Sequence, residues 1–174
     1  MIRNRKLSHT YVIPLIIFLG LILDGIIMNV FSSQLIEGNY VLVPRLMMVL
    51  LIVLSLLFPK QPLFFYAFIF GVIYDSYYVG VVGIYTAGIV SCIYLLKRSQ
   101  QYVQLTPLVL LLLYFLSLSY IEIFSFTTYT ILSLVDMSFF RFLITRLAPT
   151  LLLNTFFLVF TYLPLRKLSD WMYR

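Results

Sequence analysis

YVIPLIIFLGLILDGIIMNVF, residues 11–31, is a long apolar run interrupted by a single acid, Asp24. A helix rises about 1.5 Å per residue, so roughly 17–25 residues cross the ~30 Å hydrocarbon core of a bilayer. The run follows a basic start, MIRNRK, which a signal peptide would share. It is too long for the apolar region of a signal peptide, and no small-residue cleavage site follows it. It therefore reads as an uncleaved first transmembrane helix. Strand-like alternation is absent here and in the other apolar runs, which excludes a β-barrel.

Composition extends this reading to the whole chain. Of 174 residues, 63% are hydrophobic and only 10% are charged. A soluble domain carries about 25% charged residues, because water must solvate its surface. The solvent here is lipid, and backbone hydrogen bonds must be satisfied within helices. The expected fold is an all-α bundle of about six transmembrane helices, at residues 11–31, 41–58, 63–79, 82–96, 105–126 and 147–165. Glu37-Gly38-Asn39, Pro59-Lys60-Gln61-Pro62, Gly80 with Gly83, and Lys97-Arg98-Ser99-Gln100-Gln101 punctuate the first four breaks. Residues 127–146 read as an external loop containing a short interfacial helix. No repeat, low-complexity tract or soluble domain interrupts this single transmembrane domain.

The net charge of +6 would suggest nucleic acid in a soluble protein, but in a membrane protein basic residues set topology. With six crossings, one side holds Arg3, Arg5, Lys6, Lys60, Lys97, Arg98, Arg166, Lys167 and Arg174, nine of the twelve Lys and Arg residues. The other side has Arg45, Arg141 and Arg146. Both termini are therefore expected in the cytoplasm, with the basic residues touching lipid headgroups and no nucleic acid as partner. Trp171 and Tyr173 fit an interfacial anchor.

The polar residues inside the spans carry the functional information. Asp24 and Asp75 each fall about 18–20 Å from the cytoplasmic edge, in the outer half of the core. Glu122 lies near the outer end of the fifth span, Arg45 opens the second, and Arg141 and Arg146 precede or open the sixth. A charge at the bilayer centre costs about 2.5–3.5 kcal/mol on insertion scales, so such residues face inward and find partners. The expectation is an ion-paired cluster near the outer leaflet centred on Asp24, Arg45, Asp75 and Arg146, with the individual pairs left open. Two roles fit it. One is a set of salt bridges that locks helix packing; the other is a ligand pocket or partner-docking site.

Helical spacing supports inward placement. Ala67, Gly71 and Asp75 recur every four residues and share one face, as do Gly20 and Asp24. Gly83, Ala87 and Ser91 form a small-residue stripe suited to close packing. Arg146, Thr150 and Asn154 form a polar stripe, with Thr161 two turns on. Pro149 removes a helical hydrogen bond if the sixth helix starts early; it reads as the helix start, where proline is tolerated.

Nothing assembles a catalytic mechanism. His9 is the one histidine and lies among basic residues, and Cys92 is the one cysteine. No metal-ligand spacing, nucleophile elbow or phosphate loop is present, so no cofactor or metal is expected. Asp75 lacks the second motif that acid–base chemistry would need.

Three segments carry a resemblance: VPRLM (43–47), GVIYDSYYVGVVGIY (71–85) and RFLITRLAPTLLLN (141–154). Their order resembles the rod shape-determining protein MreD family, particularly its Gram-positive members. The 71–85 segment is the most specific, and the first and fifth spans match mainly in hydropathy. The resemblance implies a non-enzymatic scaffold of the cell-wall elongation machinery in the bacterial plasma membrane. It implies MreC as direct partner, with MreB, RodA and a transpeptidase nearby. It also implies a fold similar to the substrate-binding subunits of energy-coupling-factor transporters, and hence, as the alternative, a membrane protein that binds a small molecule or lipid intermediate. Arg45, Gly71, Asp75, Gly80, Gly83, Arg146, Pro149 and Asn154 are the positions the resemblance marks; Asp24 and Glu122 come from the burial argument alone.

Overall fold

Prolines and glycines divide the apolar sequence into helices of unequal length. The computed structural model describes residues 3–37 and 40–173. Gly38 and Asn39 of the first break, Arg174, and the side chains of Arg3, Arg5, Lys6, His9, Glu37 and Tyr173 lie outside the described residues.

Helix α1 (Arg3–Val30) leads through a short turn of helix, α2 (Ser32–Leu35), into a hairpin of two-residue strands, β1 (Ile36–Glu37) and β2 (Tyr40–Val41). The register pairs Ile36 with Val41 and Glu37 with Tyr40. The next helix, α3 (Leu46–Leu57), has 12 residues. Helix was expected from residue 41, but residues 41–45 are not helical. Pro44 disfavours helical geometry at Val43 and donates no hydrogen bond. A 12-residue helix is only about 18 Å long, short of the ~30 Å core, and such a helix belongs in a protein interior. It is indeed buried from Leu46 to Leu56 and touches α1, α4, α5, α6 and α8.

Helix α4 (Leu63–Tyr74) widens into a π turn, Asp75–Val79, and α5 (Ile84–Ser99) returns antiparallel to it. Gly80 and Gly83 have φ of 77° and 108°. A side chain is strained in that left-handed region, so both glycines are needed for the hairpin to reverse this tightly. Helix α6 (Pro107–Ile131) has Pro107 in its first turn, and the Thr106 hydroxyl accepts from Val109 N–H at 3.3 Å.

Of residues 127–146, read as a loop containing a short helix, only 132–138 are non-helical. α6 runs on to Ile131, because Thr128 and Thr130 donate back to the carbonyls of Phe124 and Phe126 and so lose their polarity to the helix. A second helix begins at α7 (Phe139–Phe142), capped by Ser138. It passes through a π turn, Leu143–Leu147, into α8 (Ala148–Tyr173). Pro149 consequently lies inside a continuous apolar rod, Phe139–Met172, rather than at its start. The rod passes it directly after the π turn, a geometry that accommodates the interrupted ladder of hydrogen bonds.

The helices alternate in direction and give the bundle two poles. At one, Gln100 Nε2 donates to the Ser55 carbonyl at 2.7 Å, Ser169 Oγ to that of Leu57 at 3.2 Å, and Lys97 Nζ to that of Gln61 at 2.8 Å. These contacts gather the C-terminal ends of α3, α5 and α8 with the basic residues Lys60, Lys97, Arg166 and Lys167 on the same pole. The opposite pole contains the Asp24–Arg45–Glu122 region.

Three helical stretches, Tyr11–Val30, Pro107–Ile131 and Phe139–Met172, are long and apolar enough to cross a membrane. Their outward faces expose Leu15, Phe18 and Leu19 on α1, Leu108 and Leu112 on α6, and Phe156, Val159 and Phe160 on α8. Water would not tolerate so much contiguous apolar surface, whereas lipid requires it. The chain is an all-α membrane protein.

Candidate functional site

Arg45 sits where the extended segment enters α3, and its guanidinium is engaged on every nitrogen. Nε donates to Glu122 Oε1 at 2.8 Å, Nη1 to the Tyr74 hydroxyl and Nη2 to the Tyr85 hydroxyl. The guanidinium carbon also lies 4.3 Å from the Tyr85 ring centroid, over its electron-rich face. Glu122 is 1% exposed and Arg45 3%, so the ion pair is removed from solvent. Arg146 approaches the same carboxylate, with Nε 3.5 Å from Glu122 Oε2, but its side chain is 36% exposed.

The two aspartates have another task. Asp24, from α1, accepts the backbone N–H groups of Leu46 at 2.5 Å and Met47 at 3.0 Å. These are the first donors of α3, which have no partner within their own helix. Arg45 precedes them and has no acceptor to offer, so α1 supplies the cap from outside. A negative charge at this end also meets the positive end of the helix dipole.

Asp75 repeats the arrangement on α5. It accepts from Gly83 N–H at 2.7 Å, Tyr85 N–H at 3.2 Å, Thr86 N–H at 3.0 Å and the Thr86 hydroxyl at 2.7 Å. Gly83 has no side chain with which to cap its own helix. Gly71, one turn before Asp75, lets the helices meet: a Cβ there would stand 3.0 Å from Thr86 Cα.

Asn154 supports the irregular backbone from α8. Its Oδ1 accepts the Arg45 N–H at 2.7 Å and its Nδ2 donates to the Val43 carbonyl at 2.8 Å. The Thr150 hydroxyl accepts from Val43 N–H at 3.2 Å. Extended backbone is tolerated at membrane depth only when protein satisfies it in this way.

Several expectations are corrected by this geometry. The cluster is not centred on paired Asp24, Arg45, Asp75 and Arg146; among the described residues the ion pairs are Arg45–Glu122 and Arg146–Glu122. The aspartates are satisfied by helix N-termini instead, because backbone N–H groups solvate a carboxylate as well as a guanidinium does. Arg141 is exposed and outside the cluster. Ala87 is also exposed, so Gly83, Ala87 and Ser91 do not form a continuous packing stripe, although Ser91 Oγ lies 3.1 Å from the Tyr120 hydroxyl of α6. Gly83 ends the turn, and Tyr85 and Thr86 orient the helix by reaching Arg45 and Asp75. The close approach falls on Gly88, where a Cβ would lie 3.0 Å from the Phe124 ring. Tyr74 and Tyr85 were not singled out from sequence; their signal was two polar-tipped residues in the adjacent third and fourth spans, on either side of the buried Asp75.

The family model for the rod shape-determining protein MreD matches residues 5–171. The chain belongs to the MreD family. It is 26% identical over 156 residues to the rod shape-determining protein MreD of Bacillus subtilis (strain 168), covering 90% of this chain and 91% of that protein. No solved structure matches it. Membership gives this MreD chain a role in rod shape and cell-wall elongation, in a family of shape-determining proteins rather than known enzymes. Among the described residues, no group of three or more His, Cys, Asp or Glu side chains is placed to hold a metal ion.

Proposed function

We propose that this MreD protein is a non-enzymatic, multi-pass scaffold in the bacterial plasma membrane. It crosses six times with both termini in the cytoplasm, in a layout similar to the substrate-binding subunits of energy-coupling-factor transporters. The scaffold holds the single membrane helix of MreC against a lipid-facing groove, and so positions the external part of MreC beside RodA and its transpeptidase, with MreB on the cytoplasmic side. Asp24, Arg45, Asp75, Glu122, Arg146 and Asn154 maintain the rigid surface that makes this docking possible.

One observation supports the reading above others. The buried acids, Arg45 and Asn154 are all engaged with other parts of the same chain, while the outward helical faces are apolar and exposed. A rigid interior with a lipid-exposed apolar exterior suits a body that packs against another helix.

Co-expression with MreC and purification in detergent, then in nanodiscs, tests it. The two proteins are expected to remain together, and recovery of this chain without MreC under both conditions would overturn the proposal. Asp75→Arg or Arg146→Glu, in variants still inserted in the membrane, is expected to abolish rod elongation.

A further inference from the structure

The pole that carries Arg45 also contains a cavity of about 540 Å³, within the range of small-ligand sites. Its lining includes the aliphatic side chains of Met28, Val43, Val79 and Val81. It also includes Tyr74, Tyr85, Arg45, Arg146 and Asp24.

The hydrogen-bonding state of these polar residues decides what the cavity accepts. Both oxygens of Asp24, the carboxylate that lines the cavity, receive backbone N–H groups. Behind the wall, Glu122 Oε1 receives Arg45, and Glu122 Oε2 is ion-paired with Arg146 Nε at 3.5 Å with no hydrogen bond. The donors of the wall are less fully engaged. Arg146 makes one weak hydrogen bond among the described residues, from Nη2 to the Tyr85 hydroxyl at 3.5 Å, and its side chain is 36% exposed. The Tyr74 and Tyr85 oxygens accept from Arg45; Tyr85 is also hydrogen-bonded to the Ser125 side chain, whereas the Tyr74 proton must turn away from the guanidinium. The Tyr74 phenol proton and an under-bonded guanidinium thus share the wall of a cavity whose lining carboxylate, Asp24, is already engaged.

From this we infer that the cavity binds the phosphate or carboxylate end of a small anionic amphiphile. Arg146 and the phenol of Tyr74 hold the anion, and the aliphatic lining residues take the apolar body. The headgroup of a membrane lipid and a soluble anion share this chemistry. The inference is independent of MreC docking.

The test uses the full chain in phosphatidylcholine nanodiscs, with thermal stability and native mass spectrometry as readouts. The probes are dodecyl phosphate below its micellar concentration, dodecanol and inorganic phosphate. Dodecyl phosphate is expected to raise the melting temperature and remain bound, and dodecanol to do neither. Loss of charge-assisted donors in Arg146→Gln should weaken dodecyl phosphate about tenfold to a hundredfold. Competition by inorganic phosphate would identify a soluble anion as the source, and lack of competition a lipid headgroup. Equal binding of dodecanol and dodecyl phosphate overturns the inference, as does undiminished binding by folded Arg146→Gln. Should Arg146→Gln not fold, Val81→Trp replaces it; that change fills the cavity from the α4–α5 hairpin, and unchanged binding there overturns the inference equally.

Discussion

The Asp24 carboxylate on α1 caps Met47 at the start of α3, accepting its N–H at 3.0 Å across 23 positions of sequence. A helix that begins inside the bundle cannot leave its first donors to water, so another helix must satisfy them. Asp75 does the same for α5, and Asn154 does it for the backbone that leads into α3. Two helix starts, and the extended segment that leads into one of them, are thus fixed by side chains from elsewhere in the chain.

Asp24→Asn should cost about 1–2 kcal/mol, because the amide retains one acceptor but turns a donor toward a backbone N–H. Unfolding by steric trapping in bicelles measures it. Hydrogen exchange at Leu46 and Met47 should accelerate in the same variant, while exchange in α6 stays unchanged.

Asn154→Leu should cost more, about 2–4 kcal/mol, since the Arg45 N–H and the Val43 carbonyl both lose a buried partner. Thr161→Val supplies the contrast. Among the described residues its hydroxyl bonds to the Phe157 and Leu158 carbonyls of its own helix, so the change should stay within about 0.5 kcal/mol. Similar losses in the two variants would contradict the backbone-support role.

The packing face of α5 is tested by a paired substitution. Gly88→Leu should destabilise by about 1–3 kcal/mol through overpacking against Phe124, whereas Ala87→Leu faces lipid and should be close to neutral. Unfolding midpoints of the two variants in the same bicelles give the comparison.

Hydropathy and charge position made much of this legible. Asp24, Asp75 and Glu122 stood out because lipid rejects carboxylates, and all three are buried. Gly80 and Gly83 marked the tight hairpin by composition alone. What each acid touches was not legible. A carboxylate at membrane depth is satisfied equally by a guanidinium or by two backbone N–H groups, and spacing along the chain does not distinguish these. The start of α3 was misplaced for a related reason: Val41, Leu42 and Val43 are apolar and count toward a span, but Pro44 and the remote Asn154 and Thr150 hold them extended. Helix continues to Ile131 within the stretch read as a loop, where the hydroxyls of Thr128 and Thr130 bond back to their own helix, a satisfaction that a hydropathy count does not register.

The account as a whole depends on Arg45 and Glu122 acting as an internal tie between α3 and α6, 2.8 Å apart and shielded from solvent. A double-mutant cycle with Arg45→Met, Glu122→Leu and the double variant, read by unfolding in bicelles, tests this directly. Each single change should cost about 3–5 kcal/mol, because Arg45→Met leaves buried Glu122 with only the more distant Arg146 and Glu122→Leu leaves buried Arg45 without a counterion, and the double change should recover much of that loss. Additive losses, with the double variant as unstable as the sum of the singles, would show that the two residues do not support one another and would contradict the account.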